Sequence, residues 1–262
     1  MKRALAATVV MMILGGSCLT GCDRSASAVP QKKELLVYCG VTMIKPVTEI
    51  ARIIEQQSGC KITITKGGSG NLLRSIKVNK VGDLYLPGSD SYINTAIEEE
   101  LVNDTAFVGY NKAAIMVQKG NPKGLSSNLE NLANSEYYVV IGDPDSGSIG
   151  RETKKILERK GIFDAVAKNA RRLTTDSKDL AKVLKDKEAD LVVNWYATAT
   201  WAENEPYVDA IGIDEEYAAK KRLVLGLLTC SEHPDIARQF IVYATSDAGR
   251  ELFTKYGLFD VK

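Results

Sequence analysis

The sequence predicts an α/β protein built of two Rossmann-like lobes joined by a two-segment hinge. Three observations carry this reading. Short apolar runs alternate with amphipathic stretches from Leu35 to Leu228, as strands alternate with helices in a layered α/β domain. Gly- and Ser-rich turns connect several of the runs to the stretches that follow. The chain of 262 residues suits one large domain or two smaller lobes, and buries roughly 70% of its unfolded surface.

The elements follow in order. Leu35-Leu36-Val37-Tyr38-Cys39 and then Gly40 read as a buried strand. Pro46 suits the first turn of a helix, Val47, Ile50, Ile53 and Ile54 recur at helical spacing, and Gly59 ends it as a left-handed cap. Ile62-Thr63-Ile64-Thr65 is a second strand. Gly68-Ser69-Gly70 opens a second helix marked by Leu72, Leu73 and Ile76. Asp83-Leu84-Tyr85-Leu86 is a third strand, ended by Pro87-Gly88, and Ile93, Ala96 and Ile97 mark a third helix. This βαβαβ run predicts a mostly parallel sheet covered on both faces.

A second series begins with strand-like Ala113–Val117 and Tyr137–Ile141. Ile149–Arg159 reads as a helix, as does the stretch holding Leu180, Val183 and Leu184. Leu191-Val192-Val193 is a buried strand and Leu223–Leu228 a return strand. Ile236–Tyr243 and Ser246–Tyr256 close the chain as helices, with Ser246 as N-cap and Gly257 as C-terminal cap. The segments around Phe107–Ala113 and Ile211–Arg222 are the expected crossings. Lobe I is thus 34–108 with 222–262, and lobe II is 109–221. A cleft between lobes with a double hinge is a common ligand site.

Composition narrows the function. There are 34 Lys+Arg against 33 Asp+Glu and one His, for a net charge of +1. A dedicated nucleic-acid binder would gather excess cations, so no nucleic-acid partner is expected. The single His233 leaves little for a metal cage, so no metal or cofactor is expected.

The first residues read as an address. Met1-Lys2-Arg3 is basic, Ala4–Leu14 is apolar apart from Thr8, and Leu19-Thr20-Gly21-Cys22 follows. A charged start and a short apolar stretch make a secretory signal over 1–21. A plain signal cut near Ala26 or Ala28 is one reading. The sharper one is a lipoprotein signal, because Leu19–Cys22 resembles the lipobox, whose Cys becomes the acylated first residue. Two or more acyl chains hold a protein stably on a membrane. Asp23 resembles an inner-membrane retention signal of enterobacterial lipoproteins. The expectation is an exported protein, periplasmic or at the cell surface, anchored through Cys22, with 22–33 as a polar tether. Removing 1–21 takes away two cations and no acid, and the net charge falls from +1 to −1.

Cys39, Cys60 and Cys230 remain, an odd count that leaves at least one thiol unpaired within the chain. They are either small buried hydrophobes or include one disulfide.

Four loops carry the functional signal: Gly40-Val41-Thr42, Gly67-Gly68-Ser69-Gly70, Asp143–Arg151, and Thr174-Thr175-Asp176-Ser177. Each lies just ahead of a helix. Helix starts present unpaired N–H groups and a partial positive charge. Gly allows close backbone approach, and Ser and Thr add neutral donors. Singly, each loop is also an ordinary cap or turn. Together, split between two lobes, they suit a cleft closing on a small anion. Gly67–Gly70 fits neither the Walker loop nor the dinucleotide fingerprint.

With these residues in view, the chain from 34 to 262 is similar to type II periplasmic solute-binding proteins of ABC importers, most closely the molybdate/tungstate-binding group. The resemblance runs through Leu35–Tyr38, Gly67–Ile76, Gly82–Leu86, Asp143-Pro144 with Gly150-Arg151, Glu188–Leu191, and Ser246–Phe253 with Lys255–Gly257. It implies a type II periplasmic binding protein fold, a monomer, a small anionic ligand and an ABC permease as partner. That family holds its oxyanion with hydroxyls, backbone amides and a Tyr. Carried over, the binding set is Thr42, Ser69 with Gly70, Gly147 with Ser148, Ser177 with Asp176, and Tyr196 or Trp195. No catalytic residue is implied.

The chain departs from the pattern at Cys39-Gly40-Val41, at Ile149, where a Tyr is common, and at Asp145 and Asp176 inside two binding loops. A carboxylate facing a dianion at about 4 Å costs several kcal/mol. Either each Asp caps its helix and turns away, or the ligand carries a hydrogen-bond donor, as a protonated oxyanion or small organic acid does. Arg74 and Arg151 sit just inside helix starts as either counter-charges or solvated helix faces. Asn194-Trp195-Tyr196 suits an aromatic cleft wall or lobe packing. Two further readings are a secreted thiol enzyme using Cys39 or Cys230 with His233, and a metal receptor.

Overall fold

The computed structural model describes residues 33–259. The expected signal peptide 1–21, Cys22 and all but the last residue of the 22–33 tether lie outside the described residues.

Strands β1 (Glu34–Gly40), β2 (Lys61–Gly67), β3 (Leu84–Leu86), β4 (Val102–Asn111) and β10 (Lys221–Leu228) form one sheet in the order β2-β1-β3-β10-β4. Strands β5 (Ala113–Gln118), β6 (Val139–Gly142), β7 (Ala170–Thr174), β8 (Leu191–Trp195) and β9 (Val208–Gly212) form a second, ordered β7-β6-β8-β5-β9. Each sheet carries helices: α1 (Ile44–Ser58), α2 (Ser69–Asn79), α3 (Asp90–Glu98), α7 (Pro234–Thr245) and α8 (Asp247–Lys255) on the first, α4 (Ser148–Lys160), α5 (Phe163–Asn169) and α6 (Ser177–Lys185) on the second. The chain passes between sheets at Lys112 and again between Gly212 and Lys221.

The sheets are mixed, not mostly parallel. β1 runs parallel to β2 and β3, and β6 to β7 and β8. β10 runs antiparallel to β3 and β4, and β5 antiparallel to β8 and β9. The reversals fall on the strands next to the crossings, where the chain enters a sheet from the hinge end. β4 also carries most of the segment read as a crossing, Phe107–Asn111.

Alternation along β1 divides the first core. Leu35, Val37 and Cys39 face Ile50, Ile54, Leu225 and Phe240, while Tyr38 faces Leu72, Ile76, Tyr85 and Ile93 on the other side. The second sheet has its own core around Ile141, Ile156, Leu180, Leu191 and Val193. Each half therefore has its own apolar centre, with Ala197 of the second half joining the first. Cys39 and Cys60 are buried, Cys230 is partly buried, and all three are free thiols.

Candidate functional site

The four loops leave the carboxyl ends of β1, β2, β6 and β7, and all four line one hollow. This is where ligands sit in open α/β sheets. The first loop enters a 3-10 turn, Val41–Met43, ahead of α1. The other three pass straight into α2, α4 and α6, with Gly68, Gly147 and Asp176 as N-caps. The hollow has a volume of about 10 Å³ as the halves stand, room for one water-sized group.

Four hydroxyls meet there: Thr42 and Ser69 from the first half, Ser148 and Ser177 from the second, each no more than 6% exposed. Ser69 Oγ accepts from the Gly88 amide at 3.0 Å. Ser148 Oγ accepts from Trp195 Nε1 at 3.2 Å. An N–H behind each oxygen leaves its hydroxyl proton to be donated forward. Thr42 Oγ1 and Ser177 Oγ have no hydrogen-bond partner among the described residues. Asn194 Nδ2 donates to the Ser177 carbonyl at 2.9 Å and Tyr85 Oη to the Ser69 carbonyl at 2.8 Å, fixing both helix starts from behind. No Lys or Arg lines the hollow.

The halves touch directly around it. A Cβ on Gly68 would lie 2.3 Å from the Ser146 carbonyl oxygen and 2.5 Å from that of Thr175. One on Gly88 would lie 2.3 Å from Ser148 Oγ. The Gly70 and Asn71 amides both donate to the Ser146 carbonyl, at 3.0 and 3.2 Å. Tyr92 Oη donates to the Pro144 carbonyl at 3.1 Å.

The sequence-based residues divide accordingly. Thr42, Ser69, Gly147, Ser148, Asp176 and Ser177 line the hollow. Gly70 does not, because its amide serves the Ser146 carbonyl. Trp195 is buried behind Ser148 and reaches the site only through that hydroxyl. Tyr196 lines a different hollow with Lys119, Thr200 and Asp209. β8 ends at Trp195 and Tyr196 opens a 3-10 turn, and the two side chains lead to different places. Arg151 is partly exposed, and its guanidinium lies 3.5 Å from the Tyr92 ring centroid, across the cleft. Arg74 is exposed and bonds to Asn71 Oδ1. Gly88 and Tyr92 are supporting residues that the sequence reading passed over, and Asn194, read there as part of a cleft wall, supports the start of α6. Pro87-Gly88 read only as a strand end, and Tyr92 carried no pattern beyond helix.

The two acids behave differently. Asp145 is exposed. Asp176 lines the hollow, and its Oδ1 caps α6 by accepting from the Lys178 and Asp179 amides at 2.8 and 3.2 Å. Burial pushes the Asp176 pKa above the ordinary carboxylate value, with the two amides pulling the other way. The thiols are poor nucleophiles, since burial pushes both Cys39 and Cys230 up. The partner considered for Cys230, His233, sits just before α7, where its backbone N–H meets Asp83 Oδ1 at 3.4 Å.

Comparison with known proteins agrees with this architecture. The profile of the bacterial extracellular solute-binding proteins matches residues 35–259. A Haemophilus influenzae protein, named only as a binding protein, is 27% identical over 234 residues, which are 88% of this chain and 93% of that one. The molybdate-binding protein ModA of Mycobacterium tuberculosis is 22% identical over 95% of both chains. The periplasmic molybdate-binding protein of Azotobacter vinelandii superposes with a TM-score of 0.72 at 14% identity, over 87% of this chain and all of that one. With its two-lobed fold and a family match across the whole described body, the chain belongs to the bacterial extracellular solute-binding proteins.

Proposed function

We propose that the protein captures an oxyanion in the hollow between its halves and hands it to an ABC permease, without turning it over. The observation that carries this is the meeting of four buried hydroxyls and three helix starts at one point, with no cation in the lining. Neutral donors held from behind stabilise a dehydrated anion without reorganising. Selectivity then follows from cavity size and donor count. Molybdate and tungstate are the first candidates, because relatives named for molybdate share the architecture. Lipidation at Cys22 would keep the receptor beside its permease on the outer face of a membrane. Among the described residues no helix is long and apolar enough to cross one.

Asp176 favours a second reading, a receptor or sensor for a protonated or organic anion. Its carboxylate lies at the hollow and repels a bare dianion, but accepts from a ligand that carries OH or NH. Isothermal titration of the purified protein with molybdate, tungstate, sulfate, phosphate and small carboxylates tests both readings. Binding tighter than about 100 μM is expected for at least one. If none binds, the receptor reading fails.

A further inference from the structure

The hollow is not sealed on the side of Val41 and Asp176. Those two residues also line a groove of about 690 Å³ that runs between β2 and α6. That is within the range of sites for small organic molecules, about 300–1,000 Å³. The groove is built differently from the hollow. Val41, Ile44 and Trp201 give it an apolar wall, and four lysines reach it from both halves, facing Asp176, Asp179, Asp186 and Glu203. The last three acids are engaged: Asp179 accepts from Thr175 Oγ1 at 3.1 Å, Asp186 pairs with Lys182, and Glu203 pairs with Lys45 at 2.7 Å.

Two of these lysines are already engaged: Lys182 pairs with Asp186, and Lys185 donates to the Glu203 carbonyl at 2.7 Å. Lys66, at the end of β2, and Lys178, in the first turn of α6, are exposed. Neither ammonium makes a hydrogen bond or ion pair among the described residues. They come from opposite halves and flank the opening where Asp176 stands. The hollow thus offers neutral donors and one acid, and the groove beside it offers an apolar wall and two ammonium groups without an ion pair, among acids that already have partners.

We infer that the site takes a two-headed organic acid. Its oxyanion head fills the hollow, and a second anionic group on a short carbon linker lies in the groove against Lys66 and Lys178. A hydroxyl or a protonated head oxygen would donate to Asp176, removing the repulsion that a bare dianion meets there. This reading rests on the anion site proposed above and names the class of ligand for it.

The test compares matched probes by isothermal titration. Phosphoglycolate carries a phosphate and a carboxylate, whereas methyl phosphate and inorganic phosphate lack the second group. Sulfoacetate and methanesulfonate make the same comparison for a sulfonate head. In at least one series the two-headed acid should bind tenfold or more tighter than its one-headed counterpart. The double substitution Lys66→Ala/Lys178→Ala should erase that gain. It should change the one-headed affinity far less than the two-headed one and leave the melting temperature unchanged, because neither ammonium holds a hydrogen bond or ion pair in the fold. No gain in either series, or a gain that survives the double substitution, overturns the inference while one-headed or inorganic oxyanion binding keeps the anion site intact. If no oxyanion of any kind binds, the anion site and this inference fall together.

Discussion

Replacing Gly68 by Ala should weaken ligand binding without unfolding the protein. Gly68 has φ −64° and ψ 137°, extended backbone that alanine adopts freely. The obstacle is across the cleft. The new methyl would lie 2.3 Å from the Ser146 carbonyl and 2.5 Å from that of Thr175, where ordinary contact begins at 3.4 Å. The shortfall is about 1 Å against two backbone atoms that no rotamer can move. Overpacking of this kind costs about 1–3 kcal/mol. Here it falls on the closed form alone, since both carbonyls belong to the facing half. Because closure completes the site, the loss appears as a Kd raised about 5- to 150-fold. Gly212→Ala is the control: it lies outside the hollow's lining and its Cβ would meet nothing within 4 Å, so affinity should hold. Titration calorimetry of both variants, with melting curves of the ligand-free proteins, separates binding from folding. A Gly68→Ala Kd within twofold of the parent would refute the reasoning.

The remaining predictions concern single contacts. Tyr92→Phe removes the hydroxyl that bonds to the Pro144 carbonyl at 3.1 Å. At about 1 kcal/mol its loss should raise Kd roughly fivefold, with little change in melting temperature. Asp176→Asn keeps a capping oxygen for α6 and removes the charge, so a bare dianion should bind more tightly. Its raised pKa means the folded chain holds this proton to higher pH than the unfolded chain does. Asp176 therefore costs stability at neutral pH, and the cost fades as pH falls through the folded pKa. Sulfate affinity and unfolding free energy should both gain from this on acidification in the parent, and the gain should be absent in Asp176→Asn. Lys221→Met leaves Glu152, whose side chain is 6% exposed, without the Lys221 ammonium 3.0 Å away. That should cost about 3 kcal/mol by urea denaturation; a loss below 1 kcal/mol would place the pair in effective contact with water.

How far the sequence could be read depended on which strands are wrapped by protein on both sides. Central strands such as β1, β6 and β8 carry unbroken apolar runs and are visible at once. Three strands escaped notice, β4, β7 and β9, and all three are sheet edges. β7 reads Ala-Arg-Arg-Leu-Thr, with its middle three residues exposed. β4 opens with Val-Asn-Asp-Thr. An edge strand is half solvated, so its composition resembles a loop, and only pairing to a neighbour distant in sequence defines it. The hydroxyls of the site were legible because Ser and Thr ahead of a helix have a local reason to be there. The side of β8 that faces the cleft was not, since strand phase is settled by tertiary packing. That is why Tyr196 and Trp195 could not be told apart.

The start of α2 shows why helix-start chemistry alone misassigns donors. Its first turn presents free amides toward the cleft, and an anion is the obvious recipient. Two of them, Gly70 and Asn71, instead hold the Ser146 carbonyl of the facing half, which leaves Ser69 at the hollow. In the proposed function the same helix end therefore serves two tasks: its backbone bridges the two halves and the Ser69 side chain meets the ligand. Glycine at 68 and 70 makes this possible, because any Cβ at either position would sit 2.3 Å from a carbonyl of the opposite lobe. A bound anion then need not attract both halves by its charge. It needs only to favour the separation at which these carbonyl contacts form, and its affinity reports the contacts of closure as much as its own hydrogen bonds.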